Sequence, residues 1–113
     1  MTSKQRYENF ISKVCDWEEL WILADQNQNF RIITPQENLE YLPVWPHADY
    51  ASAFHEIYPS HKPSRVELDS FLETWLPNLN NDGLKVGVLP NLGTNVWIID
   101  PLDLKEELEN ELQ

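Results

Sequence analysis

Two segments that combine tryptophan with proline constrain the fold of this chain more than any other feature. The first runs from Tyr41 to His47 (YLPVWPH) and the second from Phe71 to Pro77 (FLETWLP). In each, an apolar stretch that suits a strand or a helix meets proline, which lacks the main-chain N–H that regular structure uses. The two segments therefore predict where elements begin and end, and they say little about chemistry.

Helical periodicity and capping residues predict four helices. A first helix over about Ser3–Asp16 is indicated by apolar residues at helical spacing, and Pro46 suits the first turn of a second helix over about Pro46–Ile57. Asp69 is expected to cap a third helix, which Pro77 should kink or break near Trp75. A fourth begins at Asp100-Pro101 and continues to the C-terminus. The apolar stripes of the first, third and fourth helices are Tyr7, Phe10, Ile11 and Val14; Phe71, Leu72, Trp75, Leu76 and Leu79; and Leu104, Leu108 and Leu112.

Apolar or alternating runs predict six strands, which pair in part as hairpins. Pro43 lies inside the third strand and favours an edge strand or a bulge. The first and last strands are apolar on both faces and are expected to be central. The first two strands and the last two are each expected to form a hairpin, whereas residues 58–64 are expected to be a loop. The strands are Leu20–Ala24, Phe30–Thr34, Leu39–Trp45, a short strand at Val66 and Leu68, Leu84–Leu89, and Val96–Ile99.

The element order αβββαβαββα and the length of 113 residues predict one α+β domain over residues 1–113. The short connections favour a mixed or mostly antiparallel sheet of five to six strands with helices packed on it. Because four short helices barely cover such a sheet, a homodimer that buries one sheet face is a further hypothesis.

The formal charge of −11 excludes some classes of partner. A strongly negative chain repels the phosphates that dominate nucleic-acid affinity, so nucleic-acid binding is not expected. The acidic residues form either an ordinary solvated surface or an acidic face that binds a basic partner. The start of the chain has no apolar signal core, and the longest uncharged stretch, residues 86–99, is shorter than the roughly 20 residues that span a bilayer. The sequence predicts a cytoplasmic protein without a membrane segment.

The motifs of common enzyme and cofactor sites are missing from the sequence. Cys15 is the single cysteine, and the three glycines form no phosphate-binding loop. No serine lies in a GxSxG motif, and His47, His55 and His61 lack the spacing of a metal site. We therefore expect no catalytic residues, no cofactor and no metal.

Aromatic residues are the remaining candidates for function. Five tryptophans in a chain of 13.3 kDa are more than a small core buries completely, and exposed tryptophan is a common anchor at protein interfaces. They are also compatible with partly buried residues that cover a small sheet. The candidate interaction or pocket surface consists of Trp21, Trp45, His47, Asp49, Tyr50 and Trp97.

The order of these motifs resembles a known family over nearly the whole chain. The residues that carry the resemblance are Leu42-Pro43-Val44-Trp45-Pro46 with Tyr50-Ala51, Leu68 to Leu72 with Trp75-Leu76-Pro77, Asp82-Gly83, Val86-Gly87-Val88, and Pro101 with Glu106-Glu107-Leu108. The pattern is similar to that of the bacterial family called domain of unknown function 2750. The family has no assigned activity, so the resemblance implies a fold and carries over no site. The sequence departs from the pattern at His47-Ala48, where a Ser- or Asp-like helix cap is expected.

Two functional hypotheses follow from these observations. The first is a non-catalytic protein-interaction module with an acidic surface, of which an immunity or inhibitor protein against a basic toxin would be one instance. The second is a small enzyme or ligand-binding protein with a site near Trp45–His47. A concave pocket beside His47 would favour the second hypothesis over the first.

Overall fold

Helices and strands together form an α+β fold, as the sequence predicts. The structure is a computed structural model that describes residues 3–27, 29–36, 39–49, 60–88 and 96–113. The helices of this part are α1 (Ser3–Trp17), α2 (residues 68–81) and α3 (Pro101–Leu112). Its strands are β1 (Glu19–Ala24), β2 (Ile33–Gln36), β3 (Leu39–Val44), β4 (Lys62–Glu67), β5 (Lys85–Val88) and β6 (Trp97–Ile99).

The strands form two sheets that meet at a pair of tryptophans. β1 pairs antiparallel with β4, and a second, four-stranded sheet has the order β2-β3-β5-β6. This second sheet is mixed, because β3 and β5 are parallel while its other pairs are antiparallel. Trp21 of β1 and Trp45, just after β3, exchange both main-chain hydrogen bonds, at N···O distances of 2.8 and 2.9 Å. The strand that leads into Trp45 is thereby joined to the β1–β4 sheet.

The predicted first hairpin is wrong beyond its first residues. Phe30 bridges to Ala24, but the chain then leaves β1, and β2 pairs with β3 instead. β2 continues past Thr34, the predicted end of the second strand, through Pro35 to Gln36. A proline is tolerated there because β2 is an edge strand, where an N–H can be missing. The second hairpin, β5 with β6, is confirmed.

Two predictions about edge and central strands are also wrong. β3 has β2 on one side and β5 on the other, so it is not an edge strand, and the register shift of the β2–β3 pair lies between Ile33 and Gln36 of β2 and not at Pro43. Its missing N–H is tolerated because the β2–β3 register ends at Tyr41. β6, by contrast, is the outer strand of its sheet, and Ile98 is 36% exposed. An apolar run therefore also suits an edge strand with one outward residue. Homodimer formation stays a prediction.

The segment before α2 begins earlier as a strand than the sequence indicates. β4 starts at Lys62, so residues 62–64 are not part of a loop, and Pro63 pairs with Leu23. Leu68 is the first residue of α2, and its N–H donates to the carbonyl of Glu18 at 3.0 Å. Asp69 is therefore inside the first turn and is not the cap.

Helix α2 continues through Pro77 and does not break there, but it is irregular up to Trp75, where the sequence predicts a kink or a break. The segment Phe71–Trp75 is π-helical, between α-helical Leu68–Ser70 and Leu76–Asn81. The N–H of Leu76 donates to the carbonyl of Phe71, one residue further back than in an α-helix. Since proline removes one N–H and its ring clashes one turn back, a widened turn accommodates it without ending the helix.

The main core lies between the helices and one face of the sheets. Its apolar side chains come from all three described helices and from β1, β3, β4 and β5. The helix α3, which contributes Leu104 and Leu108, begins at Asp100-Pro101 as predicted. The buried members include Phe10, Val14, Leu20, Ile22, Leu42, Val44, Phe71, Leu76, Val86, Val88, Leu104 and Leu108. Leu112, the last residue of the α3 stripe, is 45% exposed. No described helix is long and apolar enough to cross a membrane.

Candidate functional site

Of the predicted site residues that the structure describes, Trp97 and Trp45 are separated, because they lie on opposite faces of the sheet. Val44, Val88 and Trp97 are in register across β3, β5 and β6, so their side chains share one face. Trp97 stacks there on Tyr7 of α1, with ring centroids 4.9 Å apart and an angle of 15°. Trp45 follows Val44 and is directed to the other face. Trp97 is therefore part of the packing between sheet and helices.

Trp21 and Trp45 are brought together, but neither is an open surface residue. Trp45 is fully buried, and Trp21 is half-buried. Their mutual main-chain hydrogen bonds hold the end of β3 in place. The chain leaves this anchor through Pro46 and reaches the exposed His47 one residue later.

His47 supplies the helix cap that the sequence lacks in its usual form. Its Nδ1 accepts a hydrogen bond from the main-chain N–H of Asp49 at 3.1 Å, and the backbone is helical at Ala48 and Asp49. A ring nitrogen thus takes the role of the Ser or Asp oxygen at a helix N-cap. With Nδ1 as acceptor, the neutral ring carries its proton on Nε2. The rest of the predicted second helix, with Tyr50 and His55, lies outside the described residues.

Trp17 completes the surface around His47. It is not among the site residues that the sequence predicts. It is the last residue of α1, is 46% exposed, and meets the His47 ring edge-on at a centroid distance of 5.8 Å and an angle of 68°. It stands three residues after Val14, at core spacing. The helix ends there, and Glu18 follows in the left-handed region at φ 54°. The feature of the sequence that could have indicated exposure of Trp17 is its place at a helix end, next to the consecutive acidic residues Glu18 and Glu19.

Three carboxylates lie next to these rings, two of them along the chain and one in space. Asp16 and Glu18 flank Trp17 in the chain and are exposed, and the side chain of Asp49 is 87% exposed. An Oδ of Asp49 lies 3.6 Å from Nδ1 of His47, a contact that becomes an ion pair only when the imidazole is protonated. We call Asp16, Trp17, Glu18, His47 and Asp49 the Trp17 surface. It presents an indole, an imidazole and three carboxylates.

The surroundings of the single thiol disfavour its ionised, nucleophilic form. The Cys15 thiol is half-buried, and its Sγ donates to the carbonyl of Leu108 at 3.7 Å. Burial, assisted by the charges of Glu111 and Asp16, raises its pKa to about 11. The thiol is therefore protonated at neutral pH, whereas nucleophilic cysteines have a lowered pKa.

Pockets lined by described residues include three that contain neither His47 nor Asp49 in their lining. One of them, about 560 Å³, lies at the open end of the β1–β4 pair between Asp25 and Lys62. The second, about 390 Å³, lies between Phe30 and α2. The third, about 370 Å³, lies between α1 and α3. Within the described ranges, no group of His, Cys, Asp or Glu is arranged to hold a metal ion. A ligand site beside His47 stays a prediction.

The sequence matches one family model, described as "Protein of unknown function (DUF2750)", over residues 7–108 of the 113. The chain belongs to the DUF2750 family. The match covers α1 from Tyr7 and extends into α3 as far as Leu108, so both ends of the main core lie within it. No curated protein matches the chain. Membership of DUF2750 thus confirms the resemblance and leaves the function to be argued from this molecule.

Proposed function

We propose that the protein is a non-catalytic interaction module that binds a basic protein through the Trp17 surface. The observation that carries the proposal is the exposure of Trp17, an indole 46% open to solvent and packed against the His47 ring at 5.8 Å. Tryptophan is the residue type most enriched among those that dominate binding energy at interfaces.

The backbone on both sides of the Trp17 surface is held in place before any partner arrives. Next to Trp17, the carbonyl of Glu18 accepts the N–H of Leu68 at 3.0 Å. Next to His47, Trp45 is paired with Trp21. Ordering an interface side chain costs roughly 0.5–1.5 kcal/mol on association. An indole already packed on a second ring loses less freedom, so more of its burial contributes to affinity.

The negative charges near Trp17 favour a partner whose surface is positively charged. Asp16, Glu18 and Asp49 add three carboxylates beside the indole, in a chain whose formal charge is −11. Negative potential attracts a basic surface and mainly raises the association rate, and salt weakens this effect. An immunity or inhibitor protein against a basic toxin is one instance of such a module. The proposal sets it in the cytoplasm, which a lone cysteine supports.

Affinity capture with two matched variants tests the proposal. The wild type, Trp17→Ala and Phe30→Ala are immobilised, since Phe30 is a second exposed aromatic residue at 41% exposure and lies outside the Trp17 surface. We expect a basic protein to be retained at low salt by the wild type and by Phe30→Ala. Retention should fall at high salt, and Trp17→Ala should lose it. Equal retention by all three, or no protein partner at either salt concentration, would contradict the proposal.

A further inference from the structure

A pocket beside Phe30 and Trp75 has the composition of a small-molecule site. Its volume is about 390 Å³, within the usual range for ligand pockets. Phe30 comes from the segment after β1 and Trp75 from the π-helical part of α2, and their ring centroids are 5.2 Å apart at an angle of 56°. The two rings form a continuous aromatic wall made by two separate elements. This pocket shares no residue with the Trp17 surface.

Phe30 is exposed but its backbone is tightly held, which distinguishes it from a loose surface ring. It bridges to Ala24, and the next residue donates its N–H to the carbonyl of Leu23 at 2.9 Å. The turn that leads to it is closed by Asp25, whose Oδ1 accepts the N–H groups of Asn27 and Asn29, each at 2.9 Å. An aromatic wall presented by such a turn needs little ordering when a ligand binds.

The α2 side of the pocket adds polar groups and one negative charge to the aromatic wall. Trp75, Asn78 and Leu79 stand at positions i, i+3 and i+4 of α2, and Asp82 is the residue that follows its last turn. Among the described residues that line the pocket, Asp82 is the one charged side chain, and it is exposed. A ligand that packs on the rings and reaches Asp82 must therefore carry a cationic or hydrogen-donating group.

We propose that this pocket binds a small organic cation that combines an aromatic ring with an amino group. The ring packs against Phe30 and Trp75, and the ammonium group pairs with the Asp82 carboxylate near the side-chain amide of Asn78. Aromatic faces also attract cations directly. The inference does not depend on the function proposed for the Trp17 surface.

A titration followed by ¹H–¹⁵N NMR tests this site with defined probes. Phenethylamine carries the ring and the charge, 3-phenylpropanoate carries the ring with the opposite charge, and butylamine carries the charge without the ring. We expect saturable shifts for phenethylamine at Phe30, the Trp75 indole and Asn78, with a dissociation constant on the order of 1 mM for a ligand of this size. The other two probes should bind at least about fivefold more weakly, because each lacks one contact.

Matched variants separate the local carboxylate from the charge of the whole chain. Asp82→Asn should weaken phenethylamine binding about two- to fivefold, as expected for an exposed charge pair. Asp69→Asn changes the net charge equally at an exposed position outside the pocket and should leave the affinity unchanged. Phe30→Leu keeps an apolar side chain and should abolish the saturable shifts. Equal affinity for the amine and the acid, equal effects of the two Asp variants, or shifts outside the pocket would overturn the inference.

Discussion

Replacement of Gly87 by alanine should destabilise the protein, although the same change in a strand usually stabilises. Gly87 lies in β5 opposite Pro43. A Cβ added there would lie 2.2 Å from Cδ2 and 2.5 Å from Cε2 of Tyr41, and 3.0 Å from Cγ2 of Val96. Tyr41 is 7% exposed, so its ring has little room to move away. The absence of a side chain at Gly87 is what lets the Tyr41 ring cover this part of the sheet.

The magnitude follows from two opposing effects. Removal of glycine from the unfolded chain favours folding by about 0.4–1 kcal/mol. Overpacking of a closed site costs about 1–3 kcal/mol, so the net loss should be about 1–2 kcal/mol. For a chain of 113 residues, 1 kcal/mol corresponds to about 4 °C in Tm, and Gly87→Ala should lower Tm by about 4–8 °C.

A double-mutant cycle identifies the Tyr41 ring as the cause. Tyr41→Val removes the ring, including the Cδ2 and Cε2 atoms that an added Cβ would meet, and valine suits a strand. Denaturant unfolding of the wild type, both single variants and the double variant gives the coupling free energy. In the Tyr41→Val background, Gly87→Ala should be neutral or slightly stabilising. A stable Gly87→Ala variant, or an equal loss in both backgrounds, would refute the reasoning.

Two further predictions concern single titratable groups. Because burial raises the Cys15 pKa to about 11, its thiol should react with thiol reagents far more slowly in the folded protein than in denaturant at neutral pH, and equal rates would contradict the burial. Because folding raises the Cys15 pKa, the protonated thiol makes a stabilising contribution that is complete below pH 9.0, the ordinary pKa, and is lost as the pH rises towards about 11. The unfolding midpoints of the wild type and Cys15→Ala should therefore converge over that pH interval. The Asn29 N–H, with that of Asn27, lowers the pKa of Asp25, so its contribution is present at neutral pH and is lost as pH falls through that lowered pKa. Asp25→Ala should therefore unfold more easily than the wild type at pH 7, and Asp25→Asn should restore part of the lost stability because it keeps a hydrogen-bond acceptor. The difference in stability between the wild type and Asp25→Ala should shrink in acid, and a difference that is constant with pH would argue against a role of the charge.

Local signals in the sequence predict the elements well, whereas the choice of pairing partner for a strand is harder to predict. The stripe of α1 is buried as its spacing indicates, and Gly83 follows α2 in the left-handed region at φ 75°. These features depend on neighbouring residues. β2 has a possible partner on either side in the chain, β1 before it and β3 after it, and an alternating run carries no record of which of the two it pairs with.

The candidate site was predicted only in part for a similar reason. The segment after Trp45 was singled out, and His47 and Asp49 do lie together at its exposed end. Trp17 is not in the predicted set, because the sequence shows a surplus of tryptophan without showing which of the five are exposed. Its exposure results from where α1 stops relative to the sheet, which periodicity does not show. Trp97 was included on composition alone and proved to stack in the packing between β6 and α1.

Photo-crosslinking from the Trp17 surface tests the central claim most directly. A photoreactive amino acid, p-benzoylphenylalanine, is placed at Asp16, at Asp49 or at Asp69, all three of which are exposed. Positions 16 and 49 belong to the Trp17 surface, whereas position 69 lies in the first turn of α2. In cell extract at low salt, positions 16 and 49 should crosslink to the same basic protein and position 69 should not. Crosslinking to different proteins from 16 and 49, to the same protein from all three, or to none would contradict the proposed interface.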